Sequence, residues 1–206
     1  ILRLDILDIK ELDLSGLNIK TLAGIENLEN LEKLNLNDNN VSDLSNLAQL
    51  DQLKDLSFNK NEVSDISAVS DLTNLKTLSF AVNQVNDISP LTQLNNLKQL
   101  DFSYNDVENI ETLSNLTGLK EVNFDSNKVS KINALSELTS LEKLNFDNNE
   151  ITDISPLAKL TNLKQLSFNS NNVNDISNVS ELTKLETLNL TGNQVQDISP
   201  VEELKN

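Results

Sequence analysis

Residues 141–162 read LEKLNFDNNEITDISPLAKLTN, and the spacing of their apolar side chains decides the fold. Leu141, Leu144, Phe146, Ile151, Ile154, Leu157 and Leu160 occupy positions 1, 4, 6, 11, 14, 17 and 20 of a 22-residue unit. The unit recurs nine times without insertion or deletion, starting at Ile9, Leu31, Leu53, Leu75, Leu97, Leu119, Leu141, Leu163 and Leu185. All 63 of these slots hold Leu, Ile, Val or Phe, and only 14 other residues of the apolar set lie outside them. A fixed period of this length marks a solenoid, in which each coil buries its apolar face against its neighbours alone. Such regularity excludes a compact two-layer domain.

The course of one coil follows from the same spacing. Positions 3 to 7 alternate polar and apolar, which predicts a short strand with its apolar members turned inward. Each crossover repeats unchanged, so successive strands run parallel, roughly 4.8 Å apart. All six phenylalanines, from Phe58 to Phe168, fall at position 6 and stack one above the next. Position 9 is Asn in eight of nine units, from Asn39 to Asn193, with Leu17 in the first. A side-chain amide carries donors and an acceptor, so a column of them can satisfy loop backbone turned into the core. Asp-Ile-Ser-Pro at Asp87–Pro90, Asp153–Pro156 and Asp197–Pro200 predicts an Asp-capped helical turn on the outer side. Too few residues remain for a long helix, so a 3₁₀ turn or a single α turn is expected there. The fold class is thus an α/β solenoid: a curved arc with a parallel sheet on its concave side and short 3₁₀ turns on its convex side.

Composition narrows the chemistry. The 206 residues include 32 acidic and 16 basic side chains, a net charge of −16, and no Cys, His, Met or Trp. Disulfides, thiolate nucleophiles, Cys/His zinc sites and Ser-His-Asp triads are therefore excluded. A chain this acidic is repelled by nucleic acid and by anionic membranes. No apolar run reaches the roughly 18–20 residues of a membrane span. Gly16, Gly24, Gly118 and Gly192 are isolated, so no strand leads into a Gly-rich phosphate loop. A one-layer coil with a packed core also offers no desolvated pocket for catalysis. The expectation is a protein that is not an enzyme and needs no cofactor.

The unit L-x-x-L-x-L/F-x-x-N-x-V/I-x-D-I-S-P-L-x-x-L-T-N resembles the 22-residue leucine-rich repeats of the internalin family of bacterial surface proteins. Leu141–Leu160 with Thr161 and Asn162, and Leu163–Leu182, carry the resemblance most fully. It implies an anchored or released protein of a Gram-positive cell, with roles in adhesion and virulence, that binds a host protein on its concave face. It also implies a helical N-terminal cap, of which residues 1–8 would be a remnant ahead of a repeat domain at 9–206. Solenoid ends expose core side chains, so either flanking elements or end-to-end self-association of two chains is expected.

The outward strand positions hold the candidate partner site. Positions 3, 5 and 7 are polar and mostly short, without the Trp, Tyr, Phe or Arg that usually anchor protein interfaces. The local exception is Ala81 with Val82 and Tyr104, the last two at position 8 of adjacent coils. An acidic group, Asp101, Glu121, Asp125 and Asp147, spans three adjacent coils and is the second candidate, for a basic partner surface or a hard cation such as Ca²⁺. The repeated outer aspartates are expected to be structural caps rather than metal ligands. With the partner site so placed, the resemblance implies an extracellular protein-binding module, secreted or on the cell wall. The alternatives are a structural spacer and an intracellular leucine-rich repeat regulator.

Overall fold

The computed structural model describes residues 8–204, so the expected cap remnant lies, but for Asp8, outside the described residues. Among those described, nine three-residue strands form one parallel sheet in sequence order. They are β1 (Glu11–Asp13), β2 (Lys33–Asn35), β3 (Asp55–Ser57), β4 (Thr77–Ser79), β5 (Gln99–Asp101), β6 (Glu121–Asn123), β7 (Lys143–Asn145), β8 (Gln165–Ser167) and β9 (Thr187–Asn189). The register is a constant 22 residues, as in Leu78↔Leu100 and Val122↔Leu144. Each return path carries a 3₁₀ turn of three or five residues, from Ile25–Asn27 to Ser199–Glu203.

The strands stop at position 5, two residues earlier than the alternation predicts. Beyond it the coils stay linked, Phe80 N–H donating to the Asp101 carbonyl at 2.8 Å and Val82 N–H to that of Ser103 at 2.9 Å. The chain leaves the strand line because position 8 turns left-handed in every coil. Its φ is 68° at Gly16, 76° at Gly192 and between 50° and 57° at the seven residues between them.

Curvature comes from two unequal spacings. Strands on the inner side lie roughly 4.8 Å apart, whereas the Phe rings one layer inward stack at 5.6–5.9 Å, tilted by 10–20° per coil. The coils therefore fan outward, and the sheet becomes the concave side. All six rings are fully buried.

Position 9 forms the expected polar column. Asn105 Nδ2 donates to the carbonyls of Phe80, Phe102 and Ser103 at 3.0, 3.1 and 3.2 Å, while its Oδ1 accepts Val85 N–H at 2.9 Å. One amide thus ties two coils together. The departure at Leu17 is tolerated because Asn39 Oδ1 accepts its N–H at 3.1 Å, and the Leu17 side chain is left 58 % exposed. Among the described residues no buried side-chain N or O lacks a partner.

The outer aspartates hold the convex turns, but not as helix caps. Asp43, Asp65, Asp87, Asp153, Asp175 and Asp197 each accept the N–H two residues on, at 2.8–2.9 Å. This is an Asx turn. The residue that caps each turn is the following Leu or Ile, with no side-chain bond. The Ser N–H holds the Asp43, Asp175 and Asp197 carboxyls below the ordinary aspartate range. Asn109 takes the same role, accepting Glu111 N–H at 2.8 Å.

Candidate protein-binding face

Position 7 explains why the concave face is built from short polar side chains. Its N–H points out of the sheet, and in all nine coils an Asn or Asp side chain accepts it. In five coils the acceptor is position 5 of the same coil: Asp13, Asn35, Asp101, Asn123 and Asn145. In the other four it is position 7 of the preceding coil: Asn37, Asn59, Asp147 and Asn169. An unpaired backbone donor is costly even when half-buried, so this column is part of the fold. Ala81 breaks the second arrangement by having no acceptor to pass on. Asp101 compensates, taking Ser103 N–H at 3.0 Å and its Oγ at 2.8 Å.

The acidic candidates are therefore engaged singly rather than gathered. Asp147 receives Ser167 Oγ, Asn169 N–H and Asn169 Nδ2 at 2.7, 2.6 and 3.0 Å. Asp125 receives Ser126 Oγ and Asn148 Nδ2, each at 2.8 Å. Glu121 pairs with Lys143 at 3.1 Å. Among the described residues no three acidic side chains converge to hold a metal ion.

Val82 and Tyr104 differ from these in both respects. They are brought together, since Asn83 N–H donates to the Tyr104 carbonyl at 3.2 Å. Their side chains stand outward, 44 % and 55 % exposed, with no hydrogen bond from the Tyr104 hydroxyl. Their φ angles are 57° and 54°. Gly, Asn and Asp enter this region with little strain, but a β-branched valine there is an outlier costing about 1–2 kcal/mol. Sequence reading picks these two residues for their apolarity and misses their backbone, because seven of the nine residues in the column are not glycine.

It also passes over position 2, at the entry to each strand. That column reads Lys10, Glu32, Lys54, Lys76, Lys98, Lys120, Glu142, Lys164, Glu186. Glu32 is paired with both Lys54 and Lys10, which together hold its carboxyl at about 2 instead of the ordinary 4.5. Glu142 is lowered in the same way by Lys164 and Lys120. Repetition of one residue type at one slot is the signal that marks this edge.

The sheet opens two broad concavities, one over β1–β4 and one over β4–β9, both lined by the strand residues. A parallel sheet of in-register 22-residue coils with 3₁₀ crossovers defines a leucine-rich repeat solenoid, a fold that typically serves as a protein-interaction scaffold. The leucine-rich repeat region family matches residues 4–203. Internalin C2 of Listeria monocytogenes shares 34 % identity over 93 % of this chain and 84 % of its own, with a TM-score of 0.91. A second Listeria monocytogenes internalin, inlF, shares 32 % over 99 % of this chain and 73 % of its own, at 0.68. A leucine-rich repeat protein of Leptospira interrogans shares 29 % over 96 % and 53 %, at 0.90. A search of curated proteins finds no match. The chain belongs to the leucine-rich repeat family and is of internalin type. No described helix is long and apolar enough to cross a membrane.

Proposed function

We propose that the chain is a non-catalytic, protein-binding module of a secreted or wall-associated protein of a Gram-positive bacterium. It uses the concave face to hold a host surface protein in adhesion. Its anchor is Tyr104 with Val82 and Ala81, and Asp101, Glu121, Asp125 and Asp147 line the adjoining coils. One observation carries this reading: two exposed apolar side chains stand side by side at left-handed positions where glycine or asparagine would suit the fold better. Strain of this kind persists where a function requires the side chain. Aromatic anchors of this type dominate interface energies.

The test is retention from host-cell surface extract and bacterial wall extract, offered side by side to the immobilised domain. A host protein held by wild type and lost by Tyr104→Asp supports the reading. Retention that is unchanged in the variant removes the anchor. The spacer reading draws on a specific feature, the absence of Trp, Phe and Arg from the outward strand columns, and it gains if neither extract yields a protein. End-to-end association of two chains belongs to the same proposal. Sedimentation of the purified chain reads it: a dimer that grows with concentration supports it, and a monomer throughout removes it.

A further inference from the structure

We infer that the strand-entry edge of the coils starting at Leu75 and Leu97 reads anions, with Lys76 and Lys98 receiving carboxylates from an acidic segment of the docked protein. The inference rests on the protein-binding reading and names the chemistry of the partner.

Backbone bonds fix the geometry of this edge. Lys76 N–H donates to the Lys54 carbonyl at 2.7 Å, Lys98 to Lys76 at 2.8 Å, and Lys120 to Lys98 at 2.8 Å. Four lysines thus follow one another at strand spacing, a ridge roughly 14 Å long. At its two ends the charge is cancelled, Lys54 by Glu32 and Lys120 by Glu142. In the middle it is not. Neither Lys76 nor Lys98 has a carboxylate within 4.0 Å or a side-chain hydrogen bond, and both are exposed. The flanking residues Thr77, Gln99, Asn74 and Asn96 are neutral.

The chain has twice as many acidic as basic residues, and nine described lysines are paired with Asp or Glu. Like charges one strand spacing apart repel. A glutamate at either position would have ended that repulsion, as it does at Glu32 and Glu142.

Lys98 is also given room. Its Nζ lies 2.6 Å from where a Cβ on Gly118 would stand. At the equivalent position of three other coils, Asn74, Asn96 and Asn162 each bond the preceding coil, their Nδ2 donating to the carbonyls of Asp51, Thr73 and Thr139 at 2.8, 2.9 and 2.9 Å. At Gly118 there is no side chain, and the Lys98 ammonium lies where one would begin.

Charge and length together choose the occupant. A long polyanion such as a phosphate polymer would run off the ridge onto Glu32 and Glu142 and an otherwise acidic surface. A short run of carboxylates fits between them. The same two coils carry Val82 and Tyr104 six residues further along the chain, within roughly 20 Å, the reach of six extended residues. One small domain spans both edges.

The test is fluorescence anisotropy of a labelled oligoglutamate peptide at low ionic strength. It compares wild type, Lys76→Glu/Lys98→Glu, the milder Lys76→Gln/Lys98→Gln, and a charge-matched control, Lys20→Glu/Lys131→Glu. Equilibrium unfolding confirms that each variant is folded. Binding by wild type, weakened about tenfold in the Glu pair and less in the Gln pair but nearly unchanged in the control, is expected. No binding by wild type, or equal loss in the control, overturns the inference. Inorganic polyphosphate that binds the same lysines more tightly than oligoglutamate overturns the choice of a protein segment. Tyr104→Asp keeps the peptide, so the ridge fails separately from the anchor.

Discussion

Positions 6 and 8 lie two residues apart on the same loop, and they behave in opposite ways. Position 6 turns inward and is Leu or Phe in every coil, with six rings stacked at 5.6–5.9 Å. Position 8 turns outward and reads Gly, Asp, Lys, Val, Tyr, Ser, Asn, Ser, Gly, although its backbone is left-handed throughout. One column is uniform because packing between coils demands one shape. The other is varied even though its left-handed backbone favours Gly, Asn and Asp. Side-chain identity at position 8 is therefore set by something other than the fold, most clearly where a valine and a tyrosine occupy it.

The interior half of this comparison breaks under large effects. Asn105→Ala removes four hydrogen bonds, two of which join adjacent coils, and leaves Val85 N–H and the carbonyl of Phe80 without the amide. A loss of roughly 3–6 kcal/mol is expected, read by urea unfolding, with amide exchange accelerating first at Val85. Phe102→Ala, in the middle of the stack, is expected to cost about 3–5 kcal/mol. An unfolding midpoint equal to that of wild type would show that the rings touch without supporting one another.

Much of this was legible in the sequence, and what was not has a physical reason. The 63 apolar slots give the coil and the parallel sheet, and Asn at position 9 gives the polar column, because burial acts on residue type and spacing alone. That the strand ends at position 5 rather than 7 was not legible, because left-handed φ at position 8 carries no fixed residue signature; Gly16 and Gly192 advertise it most plainly. The convex aspartates were legible as turn formers, but their bond falls one residue ahead of the capping position, a matter of dihedral angles. Asp101, Glu121, Asp125 and Asp147 read as a group because solenoid columns bring neighbours close. Each is instead engaged with its own partners, two of them capping the amides of Ser103 and Asn169. Lys76 and Lys98 read as ordinary solvated lysines until the pairing on either side of them is seen.

The measurement closest to the centre of this comparison is urea unfolding of Val82→Gly. If Val82 is held at position 8 against the interest of the fold, relieving its left-handed strain raises stability by about 1 kcal/mol, with the denaturant slope unchanged. A midpoint below that of wild type would contradict this. Val82 would then be a packing residue, and the physical ground for an anchor beside Tyr104 would be lost.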